Sequence, residues 1–376
     1  MAEHLDTLVI GLGAHGSSAL YHLSRTGKKV AGIDRFTPPH NHGSSHGQSR
    51  IIRQAYHESP FYVPLVQAAY PLWEELERQS KKTLLVKTGG LLLGAANSAI
   101  VNGARLSAET HGVAYEYLKA PDLRQRFPAF KPSPETVGIH EAAAGILFPE
   151  ECIRAFLSGA TKNNASIHCN EIVTGITPHD DKVEVITTKE KYTASKVIVS
   201  AGAWLGTLLP ELNLPLTIER QVVCWFQNKN PHAHLSPDYM PIYIWEYRPG
   251  KMFYGFPDMG DGIKIGFHHA GRPIAPQELQ QDASTAEISA IQEIAGKYLH
   301  IAPVFHSASV CMYTNTPDEN FIIDFHPNHK NILVASPCSG HGFKFSSLIG
   351  KILSDMAMDR PVEFDLSPFA LARDGL

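Results

Sequence analysis

LDTLVIGLGAHGSSALYHLSRTGKKVAGIDRF, residues 5–36, is a complete strand–turn–helix–strand unit. The apolar run Leu8, Val9, Ile10 enters a turn carrying Gly11, Gly13 and Gly16. A helix with apolar Ala19, Leu20 and Leu23 follows, Gly27 ends it, and a second apolar run from Val30 to Ile33 stops at Asp34. The spacing has a mechanical cause. Gly11 permits the tight turn, Gly13 lets the backbone approach a pyrophosphate, and Gly16 lets helix pack closely on strand. The phosphates then sit on the unpaired N–H groups of the helix N-terminus. Asp34 is placed to accept hydrogen bonds from a ribose diol. A glycine turn alone is weak, but this one has its strand, helix, second strand and acid, so a dinucleotide cofactor is expected. The motif does not separate FAD from NAD. An acid at the strand end argues only against a 2′-phosphate.

The rest of the composition sets bounds. At 376 residues, with 43% hydrophobic and 19% charged residues, the chain can bury a large core. Net charge is −4 and no long basic run appears, so neither nucleic acid nor a polybasic membrane anchor is expected. No apolar stretch is long enough to span a bilayer. The N-terminus lacks the pattern of a signal peptide. Five cysteines, odd in number and without CxxC spacing, suit a reducing cytoplasm and argue against a disulfide framework or a structural zinc site. No metal is expected.

Moving outward from the opening unit, PPHNHGSSHGQSRIIR (Pro38 to Arg53) is too polar for core. Helical spacing runs from Tyr62 to Lys82, with Pro64 suited to its first turn and Pro71 predicting a kink. Nucleotide-domain features return at 171–203, where the strand Val197 to Val199 runs into Ala201-Gly202-Ala203. Residues 215–310 are rich in β-type runs, and the last segment repeats strand, glycine turn and helix in NILVASPCSGHGFKFSSLIGKILSDMA. The pattern implies an α/β fold. A Rossmann-like nucleotide domain comprises residues 1–85, 151–215 and 311–376, and an interleaved β-rich α+β substrate domain comprises 86–150 and 216–310.

Several residues could carry chemistry. Gly340 and Gly342 free the backbone just before a helix whose N-terminus, helped by Lys344, suits an anion such as the N1–C2=O edge of a reduced flavin. A phosphate-free packing turn with a solvated lysine is the alternative. In Ile263-Lys264-Ile265-Gly266-Phe267-His268 one strand face is apolar and the other presents Lys264 and His268 across a glycine gap. Tyr254 pairs with Phe256 in the same manner. Such a face could be an active-site wall, but from the pattern alone an ordinary wetted sheet face is the stronger expectation. Arg50 and Arg53 lie three apart, so a helical or turn geometry would point both to one side, either for an anionic ligand or for a structural ion pair. Cys311, between apolar neighbours, reads as a small inert core residue.

Taken together, these stretches resemble the monomeric sarcosine oxidase and N-methyl-tryptophan oxidase family of flavoproteins over essentially the whole chain. The likeness runs through GLGAHG with Asp34, PPHNHGSSHGQSRIIRQAY, YGFP, KIGFHH, CMYTNTPDENFIID and SGHGFKFSS. The resemblance implies a two-domain amine oxidase with FAD attached covalently through the Cys311 sulfur to the flavin 8α-methyl, overturning the inert-core reading. It implies that Lys264 activates O₂, and that Arg53 and Lys344 clamp a substrate carboxylate. Tyr254 and His268 would be walls of the active site, with Arg50 and His46 beside the flavin ring. The same resemblance places the cofactor against Gly11, Gly13, Gly16, Asp34, Arg35, Ser45, Ala201, Gly202, Gly340, Gly342, Phe343 and Lys344.

The implied reaction oxidises the C–N bond of a secondary amino acid. FAD takes two electrons, water hydrolyses the imine, and O₂ returns as hydrogen peroxide. An N-methyl amino acid is the first expectation and a cyclic imino acid such as pipecolate or proline the second, with an NAD-dependent dehydrogenase more distant. A monomer is expected. Ser45 and Gln48 stand where family members commonly carry a histidine and an acid, so altered electrostatics at the flavin edge are expected. Trp245 and Tyr247 fall where the entrance strand should lie, which predicts a changed pocket mouth and a preferred side chain unlike that of sarcosine.

Overall fold

The computed structural model describes residues 4–229 and 234–376. Its first sheet grows from the opening strand. His4–Ile10 pairs in parallel with Val30–Ile33 on one side and with Lys191–Val199 on the other. Ser166–His168 and His329–Ser336 extend this parallel core outward. Antiparallel strands Val173–Pro178, Val183–Thr187 and Ile322–His326 complete eight. Parallel strands need both faces covered, and their apolar sequences meet that demand. Leu8, Val9, Val197, Ile198, Val199, Leu333 and Val334 are fully buried.

Helix Ala14–Ser24 packs against both Pro149–Lys162 and Ser346–Ala357. The last helix buries Leu348, Ile349, Ile352 and Met356, and Phe345 just before it is buried on the same side. The helix predicted near 62–82 spans Tyr62–Ser80 and runs through Pro71.

The second sheet is also eight-stranded and almost wholly antiparallel. Its order is Pro303–Asn315, Thr217–Asn228, Ile263–His268, Lys251–Phe256, Ile242–Arg248, Gly90–Ala95, Thr136–Glu141, Glu116–Lys119. The pairing of Ile242–Arg248 with Gly90–Ala95 is parallel. The boundary expected at 311 falls inside the strand Pro303–Asn315, which pairs along its length within this sheet. A small antiparallel sheet joins Arg50–Ile52 and Leu85–Lys87 to Gly145–Leu147.

Strand period two sorts the second sheet into two faces. Cys224, Phe226, Tyr243, Trp245, Phe253, Ile263 and Ile265 build a core with Ile291 and Ala295 of helix Thr285–Tyr298. The opposite face carries Val223, Ile244, Tyr254, Phe256 and Cys311 toward a cleft shared with the first sheet. No helix among the described residues is long and apolar enough to cross a membrane.

Candidate active site

The cleft begins where the first sheet's strands end. Gly11, Gly13, Asp34, Arg35, Ser45, Ala201 and Gly202 border its outer half. Gly13 opens helix Ala14–Ser24 with no side-chain cap, so the helix N–H groups are available to an anion, apart from that of Ala14, which donates to Ser45 Oγ at 3.3 Å. Gly16 does not border the cleft. A Cβ there would stand 1.8 Å from Gly11 O and 2.5 Å from Ser200 Oγ, so glycine is required for helix and strand to touch. Asp34 accepts from Leu12 N and Phe36 N, each at 2.8 Å, leaving further lone pairs for a diol. Arg35 makes cation–π contacts instead, lying over the rings of Phe36 and Trp204.

Six residues (Ala14, His15, Ser44, Ser45, Pro337 and Cys338) border both this half and an inner half, so the two form one elongated cleft. Gly340, Gly342, Phe343 and Lys344 line the inner half. There the chain makes a 3-10 turn, Phe343–Phe345, before helix Ser346–Ala357. Its shape, the uncapped helix and the acid at Asp34 fit a dinucleotide with a planar ring system inward.

On the substrate-side sheet, Lys264 is 2% exposed rather than wetted. Its Nζ donates to Gly47 O at 2.6 Å and lies 3.0 Å from both Ser49 O and Ser49 Oγ. The rings of Phe256 and Trp225 lie beneath it. Burial, then Arg50, pulls its pKa well below the usual lysine value. Two carbonyls and a hydroxyl nevertheless match the three N–H bonds of an ammonium and favour the charged form.

His268 is half-buried. Its Nδ1 is 3.3 Å from the Tyr313 hydroxyl, and burial with His269 lowers its pKa well below normal, leaving a neutral imidazole. Tyr254 lies across Gly266, where an added Cβ would stand 3.1 Å from its hydroxyl; burial raises its pKa to about 12. Cys311 is 7% exposed and free, its thiol pKa raised by burial although Arg50 and Lys264 oppose this.

Arg50 opens the extended strand Arg50–Ile52 and Arg53 follows its end, so both reach the cleft without the helical geometry that their spacing allowed. Arg50 donates to Ser49 O at 2.8 Å and Ser44 O at 2.6 Å. Arg53 has the ion pair: its Nη2 meets both Glu58 oxygens, at 2.7 and 2.6 Å. Burial pulls the Glu58 carboxyl up, but Arg53, His57, His341 and Lys344 together outweigh it and hold it well below the usual range. Lys344 Nζ donates to His341 O at 2.6 Å and to the Tyr56 hydroxyl at 3.3 Å. Burial and then Arg53 bring its pKa down to about 7. Both cations lie over the Tyr56 ring, at 4.3 and 5.1 Å from its centre. His46 also lines the cleft, its Nε2 unpartnered and its pKa lowered to about 4 by burial and then Arg50.

The structure thus gathers His46, Arg50, Arg53, Tyr254, His268, Cys311 and Lys344 along one wall or another of the inner cleft. Lys264 stands just behind it. Three residues escaped the sequence reading: Tyr56, Glu58 and Tyr313. Tyr313 was within reach, since period two from Cys311 puts both on one strand face.

Two further expectations are corrected. Trp245 and Tyr247 do not form a pocket mouth: they point to the opposite sheet face and pack on Phe253 and Tyr298. Ile244 faces the cleft instead. Gln48 does not reach the inner cleft either; its side chain turns out to Asp261 Oδ2 at 3.2 Å. Ser45, at the helix N-terminus, does line it.

Comparison with known proteins agrees with this geometry. Residues 6–356 match the family described as FAD dependent oxidoreductase. The chain is 40% identical over 363 residues to a protein named monomeric sarcosine oxidase from Streptomyces avermitilis, covering 95% of this chain and 94% of that one. It is 37% identical over 371 residues to N-methyl-L-tryptophan oxidase from Salmonella dublin, covering 98% of each. Among solved structures, NikD, an unusual amino acid oxidase essential for nikkomycin biosynthesis, superposes with a TM-score of 0.86 at 23% identity, covering 98% of this chain and 97% of that one. That last likeness establishes the fold alone.

Proposed function

The chain belongs to the FAD dependent oxidoreductase family, and from that premise we propose that it oxidises an N-methyl or other secondary amino acid at its C–N bond, with O₂ as acceptor. The observation that carries the reading is the buried Arg53–Lys344 pair flanking Tyr56 at the inner end of the cleft. Two cations held in a low-dielectric wall form a receptor for one carboxylate, which leaves the adjacent amine facing the ring site.

Bound FAD would supply the two-electron acceptor and, through O₂, yield hydrogen peroxide. The chain's residues do the rest. Arg53 exchanges Glu58 for the substrate carboxylate, and Lys344 adds the second contact. Tyr254 and neutral His268 border the reacting carbon and cannot protonate the amine, which must donate electrons as the free base. Lys264 and Arg50 set positive charge near the ring, where it stabilises negative charge developing during reoxidation.

The reading extends to a thioether between Cys311 Sγ and the flavin 8α-methyl, supported by a free thiol on the cleft wall beside two cations. The two-part division falls between the nucleotide-side and substrate-side sheets. A monomeric, cytoplasmic protein completes the proposal, the compartment supported by five unpaired cysteines.

The test is peroxide release from purified holoenzyme across N-methyl and cyclic amino acids. Saturable release with an N-methyl amino acid is expected. Protein that shows no flavin absorbance even after incubation with FAD would overturn the reading.

A further inference from the structure

The elongated cleft has a waist. Ala14, His15, Ser44, Ser45, Pro337 and Cys338 border both of its halves, so a ligand that runs from one to the other passes among them. His15 is the only imidazole in that ring. It stands second in helix Ala14–Ser24, at a position that the glycine motif leaves open. The residue is only 9% exposed, and its Nδ1 has no hydrogen-bond partner among the described residues.

The ring is neutral. Burial brings its pKa down to about 3, although the Pro337 carbonyl pulls the other way. The positive end of the helix disfavours an imidazolium there as well. A neutral imidazole has one N–H and one lone pair. The Pro337 carbonyl can take only the N–H, so the remaining nitrogen is an acceptor to which nothing in the chain donates. Burying such a group unpaired is unfavourable for the protein alone. Methionine or leucine would pack at the same helix position without that penalty.

The waist also indicates what meets this nitrogen. FAD laid from Asp34 in the outer half to the ring site in the inner half has its phosphates at the uncapped helix N-terminus. Between those phosphates and the isoalloxazine it carries only the ribityl chain. Ribityl hydroxyls donate, whereas phosphate oxygens only accept and cannot satisfy a lone pair. We propose that His15 accepts a hydrogen bond from a ribityl hydroxyl of FAD, making its side chain a cofactor-binding group of this chain. The proposal rests on the FAD reading above. The contact lies at the joint between the anchored phosphates and the ring, so it restrains how the ring hangs in the inner cleft.

The test measures binding to full-length apoprotein carrying Cys311→Ala, in which FAD is held reversibly. His15→Met removes the acceptor and keeps the bulk, and His15→Gln returns an accepting oxygen. Flavin fluorescence titration should show FAD bound about tenfold more weakly by His15→Met, and within about threefold of the parent by His15→Gln. ADP has the phosphates but no ribityl chain, and calorimetry should find it bound alike by all three proteins. Among FAD analogues lacking one ribityl hydroxyl, one should bind the parent and His15→Met equally. Should His15→Met fail to fold, nitrogen NMR of the parent still decides: the lone-pair nitrogen of His15 should shift on addition of FAD and not of ADP. Equal weakening of FAD and ADP would put the contact at the phosphates and overturn the proposal, as would unchanged FAD affinity in His15→Met or an imidazole signal that FAD leaves in place. Apoprotein that takes up no FAD, wild type included, would instead sink the FAD reading.

Discussion

Arg53 and Glu58 form a buried ion pair in which one guanidinium nitrogen contacts both carboxylate oxygens. On the function proposed above, Glu58 therefore competes with an incoming carboxylate for Arg53 Nη2, while Arg53 Nε has no partner. Glu58→Gln should raise affinity for a simple carboxylate such as acetate by about tenfold, since the competitor loses its charge. Leaving Arg53 and Lys344 uncompensated should also cost about 3–5 kcal/mol of stability. Ligand titration and denaturant melts check the two effects. Weaker carboxylate binding would rule out the competition.

Lys344 makes that same binding depend on pH. Its folded-state pKa of about 7 lies below the ordinary lysine value of 10.5. Between those values the unfolded chain holds a proton that the folded chain lacks, so this group's contribution to stability rises with pH above about 7 and is least favourable below it. Carboxylate binding runs the opposite way, because it needs the ammonium. Affinity for acetate should fall as pH rises above about 7, by up to about tenfold per unit. Lys344→Met should be weak and nearly pH-independent over the same range.

Glu150 anchors the backbone that holds Lys264. Its Oε1 accepts from Gly47 N at 2.7 Å and Gln48 N at 3.1 Å, and both residues have positive φ. The carbonyls of Gly47 and Ser49 then receive Lys264 Nζ. Glu150→Ala should release the loop and slow flavin reoxidation by about tenfold while carboxylate affinity is unchanged. Glu150→Gln, which keeps an accepting oxygen, should recover most of the rate. Equal loss in both variants would point to charge, not position.

Cys311→Ala removes the proposed attachment point without touching the helix N-terminus or Asp34. The variant should bind FAD reversibly, and acid precipitation should leave the yellow colour in the supernatant instead of the pellet. Colour retained in the pellet would mean that the linkage lies elsewhere.

Gly16→Ala tests the nucleotide fold itself. The added carbon meets Gly11 O at 1.8 Å, a backbone atom that cannot swing aside. About 1–3 kcal/mol of destabilisation is expected, with loss of FAD retention, read by thermal melts and by flavin content after gel filtration.

The nucleotide half was legible because its signals are local. Strand, glycine turn, helix and Asp34 follow one another within 30 residues, and each obeys a backbone rule. Period two likewise placed Lys264 and His268 opposite Ile263 and Ile265. The burial of Lys264 was not legible, because it depends on the loop 47–49 arriving from 215 residues away. Parity also decides Trp245: it shares a face with Tyr243 and Phe253, both buried aromatics, so a residue on the entrance strand need not face the entrance. Glu58 was missed because an acid five residues past an arginine on an extended segment carries no periodic signature. Tyr56, adjacent to Ala55, gave none either; only the turn of the chain after Ile52 sets its ring under both cations.

The alternation along the second sheet has a consequence for how new preferences arise. Trp245, Phe253 and Tyr243 hold the sheet to its helix, whereas Ile244, Tyr254 and Phe256 meet whatever occupies the cleft. Adaptation to a bulkier or smaller amine can begin at partly buried Tyr254 and leave the aromatic layer against the helix untouched. Selectivity and durability are thus divided between the two faces of the same few strands.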